Sequence, residues 1–285
     1  MNKFFSDNVI EALNFINQFK NKIFVIKIGG TQISDEKIFT SICSNIKTLY
    51  SIGINIVLVH GGGKEISKRL LKVGIKSEFI NGYRITSENH ISEIEMILSG
   101  KINKDITLKL NNIGVTSVGL NGKDGGMISC SKKSLINDID IGMVGEIDGL
   151  NLNLIRLLLK ERIIPIISPI GFNKNGETFN INADQVAGSI ASELKSEKLI
   201  LLTDVDGYYK NINDKDSFVS KLNLDEVEKI LNDNKLNGGM YPKLECCYKS
   251  VSSTRKTAHI INGNVKDSLL IEVLSYGGIG TMIYI

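Results

Sequence analysis

The chain has 285 residues, 42% of them hydrophobic and 23% charged, with a net charge of +3. That is an ordinary composition for a soluble globular protein, with room for one large α/β domain or two lobes. It argues against a nucleic-acid binder, since no basic run of five or six residues occurs and no basic patch is interleaved with aromatics. Cys43, Cys130, Cys246 and Cys247 form no CxxC, and His60, His90 and His259 are far apart. Neither a zinc site nor a disulfide framework is expected, and a reducing compartment fits best. Asp7 and Glu11 interrupt any secretory apolar core, and no apolar run approaches the ~18 residues of a membrane span. The expected location is the cytoplasm, or the stroma if the chain is plastid-encoded.

In chain order, DNVIEALNFINQFK (7–20) comes first, with Val9, Leu13, Ile16 and Phe19 on one helical stripe. That stripe needs cover from its own domain or from another subunit. Strands are expected at 23–28, 55–60, 116–120, 163–168, 198–203, 258–261 and 280–284. Helices are expected at 35–49, 64–73, 88–111, 151–161, 183–195, 224–233, 242–254 and 266–274. The short apolar runs lack period-two alternation, as strands covered on both faces do. The alternation of elements predicts a three-layer αβα sandwich around a mainly parallel sheet. FINGYRIT (79–86) and the segment 121–147 read as hairpins or excursions that carry polar function.

Two strands run into glycines: IFVIKIGG (23–30) and VLVHGGGKEI (57–66). Ligands of open α/β sheets collect outside the carboxyl ends of the strands, where glycine lets the backbone approach an anion. Gly29-Gly30, Gly61-Gly62-Gly63, Gly122 with Gly125-Gly126, and Gly207 are therefore expected to rim one cleft, although any single pair also suits a plain tight turn. No GxxxxGK[ST] and no strict GxGxxG occurs, which disfavours a P-loop NTPase and, less strongly, a dinucleotide dehydrogenase.

Lys27 lies between Ile26 and Ile28, where burial of an ammonium is costly without a paired anion. The alternative is that it snorkels to the sheet edge. Lys243, in GGMYPKLE, follows a proline suited to open a helix, which puts a cation at the positive end of the dipole. Two awkward lysines suggest recruitment to a phosphate. In NINADQVAG (180–188), Asn182 reads as an N-cap and Asp184 as a first-turn carboxylate. Plain capping accounts for most of that pattern; Asp184 holding both lysines is the functional alternative.

These motifs, together with NGYRIT, VGLNGKDGGMI, DIGMVGEI, LILLTDVDG and AHIINGNV…GIGTMIY, resemble the amino acid kinase family from Ile23 to Ile283. The likeness is strongest to the branch that phosphorylates the side-chain carboxylate of N-acetyl-L-glutamate in arginine biosynthesis. It implies one kinase domain: an N-terminal helix (1–21), an N-acetylglutamate-binding and dimerisation lobe (22–193) and an ATP-binding lobe (194–285). By the same resemblance Lys27 and Lys243 stabilise the transferring phosphoryl group and Asp184 organises them. Gly62, Gly63, Arg84 and Asn180 hold the acetylated amino acid, with Arg84 on its α-carboxylate. Gly29 and Gly30 line the phosphate path, while Asp204 to Tyr209, with Gly207 among them, border the nucleotide. ATP brings its own Mg²⁺, and no protein metal site is implied. The N-terminal helix resembles that of arginine-inhibited hexamers built from dimers, with His259, Glu272 and Gly280 in the effector region; some relatives also bind a PII signalling protein. Tyr83, Ser87, Asn121 and Asn262 depart from the usual pattern. Glutamate 5-kinase, aspartate kinase, carbamate kinase and uridylate kinase are the alternatives within the family, and a catalytically silent arginine-sensing module is one outside enzymes.

Overall fold

The computed structural model describes residues 2–136, 138–233 and 239–285, with side chains from residue 9 onward. Gly238, the first glycine of GGMYPK, lies outside the described residues. Among these, the main sheet runs Lys221–Asn223, Thr281–Tyr284, Thr257–Asn262, Lys198–Thr203, Ile23–Ile28, Asn55–His60, Ile164–Ser168, Ser117–Asn121 in spatial order. Every neighbouring pair is parallel except Thr257–Asn262 with Thr281–Tyr284. Each expected strand is present within a residue or two, and the short strand Lys221–Asn223 is additional.

The pleat explains the unalternating apolar runs. On the first strand Phe24 and Ile26 enter one core and Val25 enters the other, and all three are fully buried. The Val25 face packs on helices Ala183–Leu194 and Met240–Thr254. The opposite face packs on Glu36–Ser51 and on the helical segment around Leu98 and Ile102. Lys27 shares the parity of Val25, so it points toward the first pair of helices.

The FINGYRIT excursion is a hairpin, Phe79–Ile80 against Tyr83–Arg84. Its turn residues Asn81 and Gly82 have φ of 48° and 82°, the twist-compatible Asn-Gly turn. The second excursion supplies Ile128–Lys132 paired with Gly145–Leu150 in a separate four-stranded sheet, extended by Ile170–Phe172 and Thr178–Asn180. The long helix expected at 88–111 has a π-helical stretch, Met96–Ile102, at its centre. Helix Met240–Thr254 begins two residues before Pro242; the proline is thus the third helical residue and not the first, a position where its missing N–H is still no loss.

Candidate active site

The two glycine turns interlock. A Cβ on Gly30 would lie 2.9 Å from the Gly63 nitrogen, and one on Gly61 would lie 3.3 Å from the Gly30 nitrogen. Gly62 touches the π-helical stretch, where a Cβ would meet Leu98 and Ile102 at 2.6 Å. The helix Gly63–Lys72 starts here and aims its first amides into the cleft.

A cavity of about 220 Å³ opens over these turns, and Lys27, Gly30, Gly62, Gly63, Arg84, Asn180 and Asp184 all line it. Asp184 forms its hub. Lys27 Nζ lies 2.8 Å from Oδ1, an ion pair off the axis of a hydrogen bond, so Oδ1 lacks an aligned donor. Lys243 Nζ donates to Oδ2 at 2.7 Å. Asn182 caps the helix through the backbone amides of Asp184 and Gln185, which fixes the carboxylate's place in the first turn. The capping and functional readings of this segment are therefore both satisfied by one geometry.

The electrostatics follow from burial and charge. Burial alone would push Asp184 up, but the ammoniums of Lys243 and Lys27 together hold its carboxyl far below the ordinary range. Burial lowers Lys27, with Asp184 opposing and Lys243 assisting that shift. Lys243 is less enclosed; burial lowers it too, but the pull of Asp184 wins and its pKa is raised. With two ammonium groups on one carboxylate, the formal charge of the buried triad is +1.

Arg84 is buried, and burial lowers its pKa to about 10. Its Nη2 donates to Gly63 O at 2.8 Å and to Ser67 Oγ at 2.9 Å, Nη1 donates to Ser77 Oγ, and the guanidinium stacks on Phe79 at 4.5 Å. Asn180 Nδ2 donates to Thr86 Oγ1 at 3.4 Å. Phe79, Ser67 and Ser77 escaped the sequence reading, since their role arises only when hairpin and helix meet. Tyr83 also lines the cavity, and its hydroxyl accepts from Gln185 Nε2 at 2.8 Å.

The remaining candidates lie elsewhere. Gly29 faces Gln32, and Asp204 sits exposed at the end of strand Lys198–Thr203, close enough for its charge to raise Lys243. Gly207 packs on Thr281, where a Cβ would be 2.4 Å from Oγ1. Gly122, Gly125 and Gly126 were expected on the same rim but do not line this cavity; a Cβ on Gly122 would strike Ile170 O at 2.1 Å, so that glycine serves strand packing. His259, Glu272 and Gly280 meet at a distance from the cleft: His259 Nδ1 is 2.6 Å from Glu272 Oε1, and Glu272 Oε2 accepts from the Ile279 and Gly280 amides.

A mainly parallel sheet whose central strand carries Lys27 into a buried lysine–aspartate–lysine cluster, beside interlocked glycine turns, is the arrangement that one family of α/β proteins shares. The chain belongs to the amino acid kinase family, whose model matches residues 22–262. Acetylglutamate kinase of Thermoanaerobacter pseudethanolicus is 45% identical over 275 residues, covering 96% of this chain and 91% of that protein. Acetylglutamate kinase of Methanocaldococcus jannaschii is 44% identical, covering 96% and 94%. Among solved structures, N-acetylglutamate synthase of Neisseria gonorrhoeae, complexed with coenzyme A and N-acetyl-glutamate, shares the fold at TM-score 0.86 and 23% identity; this chain is covered to 99% but spans only 63% of that longer protein.

Proposed function

We infer that the chain acts as an acetylglutamate kinase, moving the γ-phosphoryl group of ATP onto the side-chain carboxylate of N-acetyl-L-glutamate. The observation that carries the reading is one cavity that presents both a guanidinium fork at Arg84 and the ammonium of Lys27, as an acceptor with two carboxylates requires. Relatives named for this activity match nearly full length.

In this reading Arg84 takes the α-carboxylate in bidentate fashion, and Gly62, Gly63 and Asn180 hold the rest of the amino acid. The side-chain carboxylate is then directed at the lysine cluster. It is ionised at neutral pH, so the reaction needs no general base. The obstacle is repulsion: one pair of like charges ~4 Å apart costs on the order of 4 kcal/mol at an effective dielectric near 20. Lys27, Lys243 and the amides of the glycine turns neutralise the charge shared by the two reactants, and alignment supplies the rest. Gly29, Gly30, Asp204 and Gly207 border ATP. Both oxygens of Asp184 face lysines, so Mg²⁺ is assigned to the phosphates of ATP itself. A bound metal there would offset phosphate charge.

Residues 22–193 then form the amino-acid and dimerisation lobe, and 194–285 the nucleotide lobe. Residues 1–21 join dimers into a hexamer, a role suggested by exposed Val9, Ile10 and Leu13. L-Arginine is the proposed inhibitor at His259, Glu272 and Gly280, and the proposed location is the cytoplasm, or the stroma if the chain is plastid-encoded. A coupled ADP assay over N-acetylglutamate, glutamate, aspartate and carbamate tests the reading: turnover should be confined to N-acetylglutamate, and preference for another acceptor would overturn it.

A further inference from the structure

We propose that Gln32 is a positioning residue for ATP, tying the phosphate turn Gly29–Gly30 to the strand ends that border the nucleotide. The inference rests on the kinase reading above and adds a residue to it. Gln32 is only 1% exposed, although it sits in the short helix Gly30–Ser34 at the cleft. Burying a primary amide is costly unless it is bonded, and this one is. Its Nε2 donates to Thr203 O and to Asn264 Oδ1, both at 3.0 Å. Thr203 ends its strand immediately before Asp204, and its carbonyl also accepts from the Gly263 amide at 2.8 Å.

The string continues along the nucleotide border. The Asn264 backbone N–H donates to Asn262 Oδ1 at 2.9 Å, Asn262 Nδ2 donates to Asp206 Oδ1 at 2.8 Å, and Tyr209 OH donates to Asp206 Oδ2 at 2.9 Å. Thus the segments at or just beyond the ends of three adjacent strands, Ile23–Ile28, Lys198–Thr203 and Thr257–Asn262, are bonded together through one side chain. The space is built for it. A Cβ on Gly29 would lie 2.3 Å from Gln32 Oε1, and one on Gly263 would lie 2.9 Å from Gln32 Cγ. An apolar residue would fill this volume without needing donors, so the amide's use is the register it enforces between the phosphate turn and segment 204–209.

Two substitutions test this in the full-length enzyme, with ATP and N-acetylglutamate varied separately and thermal unfolding recorded. Gln32→Met keeps the volume and removes both donated bonds; it should raise KM for ATP about fivefold to tenfold, roughly 1 kcal/mol of lost positioning. Asn264→Ala, which removes only the exposed acceptor of Gln32, should raise it roughly two- to threefold. The double variant should be no worse than Gln32→Met, since that substitution already loses the bond to Asn264. KM for N-acetylglutamate should stay within about twofold, because Arg84 and Asn180 are untouched. An unchanged KM for ATP, a parallel rise for both substrates, or multiplying effects in the double variant would overturn the inference. Were Gln32→Met to fail to fold, an unchanged KM for ATP in Asn264→Ala would overturn it alone. Absence of ATP turnover in the unsubstituted protein would instead remove the kinase reading.

Discussion

Lys27 shows how a single position can look wrong for stability and right for chemistry. Its neighbours on the strand are fully buried aliphatics, and its ammonium is enclosed with Asp184 as its anionic partner. On the proposed mechanism, Lys27→Met and Lys243→Met should each slow kcat roughly 10²–10³-fold, about 3–4 kcal/mol of lost transition-state stabilisation. Steady-state rates at saturating substrates check this, and retention of more than half the activity would remove that lysine from the mechanism. Arg84→Lys should act on KM for N-acetylglutamate, raising it about tenfold, since an ammonium cannot rebuild the fork or the stack on Phe79; an unaltered KM would refute the assignment. His60 offers a test of stability instead. It is fully buried, its Nδ1–H donates to Gly61 O, and its Nε2 accepts from Asn103. Burial lowers its pKa to about 4. The unfolded chain protonates near 6.5 while the folded form does not, so this stability is complete above pH 6.5 and is lost as pH falls toward 4. By pH 5 the loss is about 2 kcal/mol. Urea midpoints at pH 7 and pH 5 should differ less in His60→Asn than in the unsubstituted protein, even though burial also lowers His259; an equal difference would contradict the attribution.

At the scale of elements, the N-terminal helix divides its stripe. Phe19 is buried against Phe24, and Phe15 packs on Tyr276. Val9 and Leu13, from the same stripe, stay about half exposed, and so does Ile10. The helix is therefore anchored at its carboxyl end and exposes apolar residues at 9, 10 and 13, which is the pattern a subunit contact would use. Removing residues 1–20 would also strip Phe19 from the core, so the cleaner truncation is 1–13. It should leave folded dimers with a weakened arginine response, measured by light scattering and inhibition curves; hexamers persisting after the truncation would exclude this role. Lys198 links the proposed effector residues to the same helix: its Nζ is 2.9 Å from His259 Nε2 and sits over the Phe19 ring at 5.1 Å.

For the molecule as a whole, the proposed function makes the central strand a divide between two half-sites. Strands Asn55–His60 and Ile164–Ser168 lie on the side of Arg84 and the substrate cavity, while Lys198–Thr203 and Thr257–Asn262 lie on the side proposed for ATP. Lys27 stands between them on the shared strand, and Lys243 comes in from a helix of the carboxyl-terminal half. A phosphoryl group passing from one half to the other would cross the lysine cluster, with Asp184 keeping two like charges close together in a buried place.

Much of this was legible along the chain because it depends on local physics. Unalternating aliphatic runs announced a sheet covered on both faces, FINGYRIT read as a hairpin or excursion with a polar function, and Asn182 announced the cap that sets Asp184. What the chain alone left open was decided by contacts between residues far apart in sequence. Lys27 chose burial over the sheet edge because strand parity turned it toward Asp184, 157 positions away by number. The glycines divided into those that interlock at the cleft and those, such as Gly122, that merely relieve strand packing. Gln32 gave no periodic or motif signal, since the meaning of a polar side chain inside a fold lies in its partners, and only the tertiary structure brings those partners within reach.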